Sequence, residues 1–178
     1  MIRLGRFDPP EENRVELIRG EIVPIDGEGP MSPINPPHDD AVDELIDWTT
    51  EVLPRGAVRI RAQGSLAIPE HDSLPQPDFA WLAPRRHSKT RPNLGDVRLL
   101  VEVADSSLAK DRGEKARLYA EAGIRDDWII NLPGRCIEVR RNPVGESAQE
   151  VIVFVADQDV RPLAFPDVVL PASRLFPD

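Results

Sequence analysis

An α/β (or α+β) domain with a mixed β-sheet flanked by helices is what this chain predicts, on three observations. Its periodic segments run helix, strands, helix, strands, the order of a sheet with helical cover. The run Leu99-Leu100-Val101-Glu102-Val103 is almost continuously apolar, as in a strand covered on both faces. Finally, 178 residues with 40% hydrophobic content suit a single domain, 1–178, with one substantial core.

The elements follow in order. Glu16 to Ile25 sets Leu17, Ile18, Ile22, Val23 and Ile25 around Arg19-Gly20, a pattern that predicts a short helix or turn leading into a strand. A Pro-rich loop spans Pro30 to Pro37. From Asp39 to Leu53, Val42, Leu45, Ile46, Thr49 and Val52 recur at helical spacing, and Pro54 lies beyond the end. Strands are predicted over Ala57–Ile68, Asp78–Leu82 and Val97–Val103. A second helix is predicted over Leu108–Ala122, stopped by Gly123. Asp127–Leu132 and Cys136–Arg140 form a hairpin across Pro133-Gly134-Arg135, and Glu150–Val155 with Asp167–Leu170 adds further strands. No internal repeat or low-complexity linker divides the chain.

Composition narrows the chemistry. No segment reaches the roughly 18 apolar residues of a membrane span, and Met1 to Arg6 opens no secretory signal, so a cytoplasmic, non-membrane protein is the expectation. The single cysteine, Cys136, supports neither an internal disulfide nor a thiolate metal cluster, and its strand alternation turns it toward the core. No Gly-x-Ser-x-Gly elbow and no Gly-Lys-Ser/Thr loop occur, which argues against a serine hydrolase and a P-loop nucleotide site. A net charge of −9 argues against diffuse attraction to nucleic acid, so any such contact is local. Arg85, Arg86, Lys89 and Arg91, just after the Asp78 strand, are the first candidates, with a solvated loop as the plainer reading, and Arg135, Arg140 and Arg141 on a later strand are a second group. His71 and His87 read as solvated loop residues.

Two carboxylates at strand edges with an ammonium nearby are the parts needed to hold a divalent cation and activate water. Asp78 opens Phe79-Ala80-Trp81-Leu82, although alone it reads as well as a turn former. Glu102 is harder to dismiss, since a Glu inside an apolar run requires a partner: a metal, a Lys or an Arg. Lys115 falls on the following helix, one turn after Asp111; that spacing also suits a surface ion pair. Ser106 is the expected helix cap. Oxygen-only ligands favour Mg²⁺ or Mn²⁺ over Zn²⁺.

The succession Glu16-Leu17-Ile18-Arg19-Gly20-Glu21-Ile22, Met31-Ser32-Pro33 with His38, Pro77-Asp78, Val101 to Ser107, Asp111 to Lys115, Tyr119 to Ile124, Trp128-Ile129-Ile130 and Phe165 to Pro171 resembles the Uma-two family of restriction endonucleases over nearly the whole chain. That resemblance implies a restriction-endonuclease-like fold of the PD-(D/E)xK type, with Mg²⁺ (Mn²⁺ as substitute) held by Asp78, Glu102 and the Val103 carbonyl. The parent pattern has its Lys two residues after the Glu, where this chain has Ala104; the resemblance implies that Lys115 takes that role from the helix. It implies a catalytic part for His38, although capping or packing is the commoner role for such a His, and Glu21 and Asp111 as accessories. Nucleic acid, DNA first, is the implied partner, and a homodimer the implied assembly. Asp126-Asp127-Trp128 departs from the family's acidic residue and Tyr before Trp, and Asn131 from its usual Asp. Two other classes stay open: a non-catalytic binding or dimerisation protein on the same fold, and a small-phosphoester hydrolase.

Overall fold

The computed structural model describes residues 15–25 and 36–177. Met1 to Arg6, Met31-Ser32-Pro33 and most of the expected Pro-rich loop lie outside them. Pro36 and Pro37 of that loop instead open helix α1 (Pro36–Val52), where proline's missing N–H costs nothing. Among the described residues no helix is long and apolar enough to cross a membrane.

A six-stranded mixed sheet carries the structure: β3 (Arg59–Ala62), β4 (Phe79–Leu82), β5 (Val97–Ala104), β6 (Asp126–Asn131), β7 (Cys136–Val144) and β8 (Ser147–Val155), in that spatial order. Only β5 and β6 run parallel. The crossover between them is the second helical stretch, in three contiguous pieces: α2 (Leu108–Lys110), a π-helical turn (Asp111–Lys115) and α3 (Ala116–Glu121). Gly123 (φ +75°) closes it as expected, with the Gly123 and Ile124 N–H groups donating to the Ala120 and Tyr119 carbonyls. The helix begins at Ser107, not Ser106, and neither hydroxyl caps it; Ser107 Oγ donates instead to Asp111 Oδ2 at 2.5 Å.

Alternation along β5 sorts the core into two layers. Leu99, Val101 and Val103 turn to the face covered by α1 and the C-terminal segment, where Trp48 stacks on Trp81 at 5.1 Å. There the Trp81 indole N–H donates to Thr49 Oγ1, and that of Trp48 to the Val169 carbonyl, so both buried donors are satisfied. Leu100 turns to the opposite face, with Leu118, Tyr119 and Ile124. Glu102 shares the parity of Leu100, and so projects under α3.

Three expectations are corrected. Glu16 to Ile25 is a β-hairpin, β1 (Val15–Ile18) and β2 (Glu21–Pro24), rather than a helix or a turn before one strand. Arg19 (φ 51°) and Gly20 (φ 81°) both take left-handed conformations, the requirement of a type I′ turn. The strand expected over 57–68 is only Arg59–Ala62, because Gln63 (φ 47°) turns the chain before Gly64. Near the C-terminus only β10 (Leu170–Pro171) pairs, with β9 (Asp159–Val160). The β6–β7 hairpin forms as expected, with Arg135 rather than Gly134 at positive φ.

Candidate active site

Each functional side chain reaches the same place by a local rule. β5 parity sends Glu102 under the helix, and the π turn buries Asp111 and Lys115 together on the helix's sheet-facing side. Lys115 Nζ lies 3.0 Å from Glu102 Oε2 and 3.8 Å from Asp111 Oδ1. Tyr119, one turn further, donates its hydroxyl to Glu102 Oε1 at 2.6 Å. Asp78 sits just before β4, its Oδ2 accepting the Val103 N–H at 2.8 Å and its Oδ1 lying 3.2 Å from His38 Nε2. The other imidazole nitrogen, Nδ1, is buried 3.7 Å from Asp39 Oδ1, too far for a hydrogen bond.

A fourth carboxylate was not foreseen. Glu16, on β1, has no exposed side-chain surface, and its oxygens lie 2.7 Å from Lys110 Nζ and 3.7 Å from Lys115 Nζ. It also accepts the Gln76 N–H at 3.1 Å. Of the two accessories expected, Asp111 joins the cluster, whereas Glu21 is exposed on β2 and makes no ion pair or hydrogen bond with it. Alternation in a strand read as helix hid the difference: only the inward parity of β1 separates Glu16 from its neighbours.

Four carboxylates therefore surround two ammonium groups. Burial disfavours charge on Lys115, but Glu102, Glu16, Asp111 and Asp78 outweigh it and hold its pKa above the ordinary lysine value. Burial pushes the Glu102 carboxyl well up against the pull of Lys115, with repulsion from Asp78 and Asp111 adding to it. Asp111 is raised by burial in the same way, despite Lys115 and Ser107. Asp78 goes the other way: burial would raise it, but His38, Lys115 and the Val103 N–H hold it low. Burial opposes charge on His38, and Asp78 and Asp39 overcome that and raise it. Tyr119 is pushed well up by burial and by Glu102, so it stays a proton donor.

Within the basic loop, Arg86, Lys89 and Arg91 are exposed. Arg85 is tied to the buried Asp96 at 2.6 Å, and Asp96 also accepts the Asn93 N–H at 3.0 Å. His87, expected in solvent, has a side chain only 3% exposed, 4.0 Å from Asp96, because this loop folds back over the start of β5. His71 is partly buried beside Glu121 at 3.4 Å. Cys136 is buried and free, as alternation indicated.

A six-stranded mixed sheet with a helical crossover between its two parallel central strands is a restriction-endonuclease-like fold. The chain belongs to the Uma2 family, whose model, described as "Putative restriction endonuclease", matches residues 4–173. Among solved structures, the fold matches that titled "Crystal structure of a putative nuclease belonging to DUF820 from Anabaena variabilis ATCC 29413" with a TM-score of 0.69, covering 94% of this chain and 92% of that one. Sequence identity is 20%, so the likeness is one of fold. The search of curated proteins gave no match.

Proposed function

We propose that the protein is a divalent-metal-dependent nuclease that hydrolyses phosphodiester bonds of nucleic acid, DNA first, at the Asp78–Glu102–Lys115 cluster. The observation that carries this reading is the excess of buried or largely buried carboxyl groups, Asp78, Glu102, Asp111 and Glu16, over the cationic groups beside them, Lys110, Lys115 and His38. An uncompensated buried carboxylate is costly, and groups shifted in this way concentrate at functional sites.

Among the described residues no three His, Cys, Asp or Glu side chains converge as a ready-made metal cage. The donor set still fits Mg²⁺ or Mn²⁺, which are commonly held by one or two carboxylates with water and substrate phosphate completing the shell. Asp78 and Glu102 are those carboxylates in this reading, with the Val103 carbonyl as a further oxygen. A cation bound there supplies a Lewis acid that lowers the pKa of water and offsets charge on the phosphoryl oxygens.

The chain's own groups have separable tasks. Lys115 is an ammonium, so it donates a hydrogen bond to the attacking water or to a phosphate oxygen and does not act as a base. Glu16 and Asp111 keep it charged and aimed. Tyr119 fixes the orientation of Glu102, and His38 keeps Asp78 ionised. Arg86, Lys89 and Arg91 contact the phosphate backbone. The reading includes a cytoplasmic location and a homodimer, for which the exposed valines of β8 offer contact surface.

Calorimetric titration of Mn²⁺ and Mg²⁺ into the wild type and an Asp78→Ala/Glu102→Ala variant is the direct test, followed by nicking of plasmid DNA. Metal binding lost in the variant, with metal-dependent nicking lost in Lys115→Ala, is the expected pattern. Absence of both binding and nicking at millimolar metal would overturn the reading.

A further inference from the structure

At the edge of the sheet farthest from β8, strand β3 carries Arg59 and Arg61 and no acidic residue. Ile60, between them, packs against the layer of Trp48 and Trp81, so alternation turns both arginines to the opposite face. That is the face of Glu102. Arg61 pairs with Ala80, and Ala80 with Leu100, whose parity Glu102 shares. Arg59 pairs with Leu82, where β4 ends and the segment bearing Arg86, Lys89 and Arg91 begins. Two residues of strand, about 6.6 Å, separate the arginines. The row therefore leads from the basic loop toward Asp78.

Arg61 is held in place without being neutralised. Its stem lies on Gly64, where a Cβ would come within 2.6 Å of Arg61 Cδ, and its Nη1 donates to the Ser65 carbonyl at 3.4 Å. The side chain thus runs along the strand toward the end at which the Gln63 N–H donates to the Asp78 carbonyl at 2.9 Å. Gln63 takes a left-handed conformation (φ 47°) at that turn, a strain of the kind that gathers at functional sites. Among the described residues neither Arg59 nor Arg61 meets a carboxylate, in a chain of net charge −9 whose Arg112, Arg141 and Arg174 each have one. Charged side chains also guard an open edge against strand pairing. The other edge, β8, exposes Val151, Val153 and Val155, so edge protection is not a rule of this sheet.

We propose that β3 is a track for the sugar–phosphate backbone of the substrate nucleic acid, with Arg61 holding the phosphate nearest Asp78 and Glu102 and Arg59 the one beyond it, toward the basic loop. An unpaired guanidinium matches a phosphate in charge and fork geometry, and a fixed stem lowers the ordering that the contact requires. Contacts of this type set the position of the nucleic acid on the protein and carry no sequence information. The proposal rests on the nuclease reading for its ligand and adds the path by which the strand reaches Glu102. Both arginines are binding groups and take no part in the chemistry.

Fluorescence anisotropy of a short labelled DNA duplex titrated with the full chain in Ca²⁺, over a salt series, tests it, with plasmid nicking in Mg²⁺ measured alongside. Arg59→Gln and Arg61→Gln are each expected to weaken binding about tenfold and to lower the salt slope by about one unit, equally on duplexes of different sequence. Gly64→Ala should weaken binding as Arg61→Gln does and add nothing to it in the double variant, because the new methyl group takes the place of the Arg61 stem. Arg117→Gln, on α3 beside the opposite edge, should bind as wild type. Melting curves and calorimetric Mn²⁺ binding should match wild type in Arg59→Gln and Arg61→Gln, which separates a lost phosphate contact from a lost fold or metal site. Slope loss in these variants without nicking by the wild type would keep the track and remove the nuclease reading. Unchanged affinity and slope in both variants of a protein that binds and nicks DNA would overturn the track and leave the nuclease reading standing. A wild type that neither binds nor nicks DNA would overturn both.

Discussion

Lys115 Nζ sits 3.0 Å from Glu102 Oε2 with both side chains almost wholly buried, 5% and 2% exposed. A buried ion pair of this kind is weak support for stability, yet breaking it from one side leaves an uncompensated charge. Lys115→Met is therefore expected to destabilise the fold by about 3–5 kcal/mol. Adding Glu102→Gln should recover part of that loss, and neither variant should show the proposed nuclease activity. Urea denaturation of the two single variants and the double variant measures the coupling.

Tyr119 gives Glu102 its second contact, and the hydroxyl is fully buried. Tyr119→Phe removes one donor without creating a cavity. The expected loss of stability is about 1–2 kcal/mol, the cost of leaving a buried acceptor short of one bond. Activity should fall with it, since Glu102 is then free to rotate about Lys115. Denaturation together with single-turnover cleavage separates the two effects.

Glu102 was legible because a carboxylate in an apolar run is an anomaly that needs no structure to notice, and its tie to a helix thirteen residues on follows from the strand–helix crossover. The Gly123 stop and the apolar stripe of α1 were legible for the same reason: local chemistry decides them. Glu16 was not, since its role depends on Lys110, ninety-four residues away. The hairpin at Arg19-Gly20 was missed because an isolated Gly between apolar pairs reads as a helix break as readily as a type I′ turn. The π turn at Asp111–Lys115 has no clear periodic signature, and the burial of His87 depends on a loop folding back on Asp96.

The basic loop separates structural from binding charge. Arg86→Ala, Lys89→Ala and Arg91→Ala, each exposed, should leave stability within about 0.5 kcal/mol of wild type. Each should also reduce the salt dependence of nucleic-acid binding by about one unit of slope. Arg85→Ala should behave differently, because its partner Asp96 is buried and caps the turn before β5. A loss in thermal stability accompanying any change in affinity is expected there. Fluorescence anisotropy over a salt series, with melting curves on the same samples, distinguishes the two kinds of arginine.

Asp127 makes stability depend on pH in a predictable direction. Burial raises its carboxyl to about 7 in the folded chain, against an ordinary value near 3.8. Between those values the folded state keeps a proton that the unfolded state releases. Its contribution is thus fully present below about pH 4 and is lost as pH rises through about 7. Asp127→Asn removes the titration, so its stability relative to wild type should climb across that window by about 2–4 kcal/mol and then level off. Any fixed penalty from the amide moves the whole curve without changing its slope. Denaturation of both proteins at pH 4.5, 6 and 8 measures the climb, and parallel curves would mean that Asp127 is ionised throughout and has found a partner.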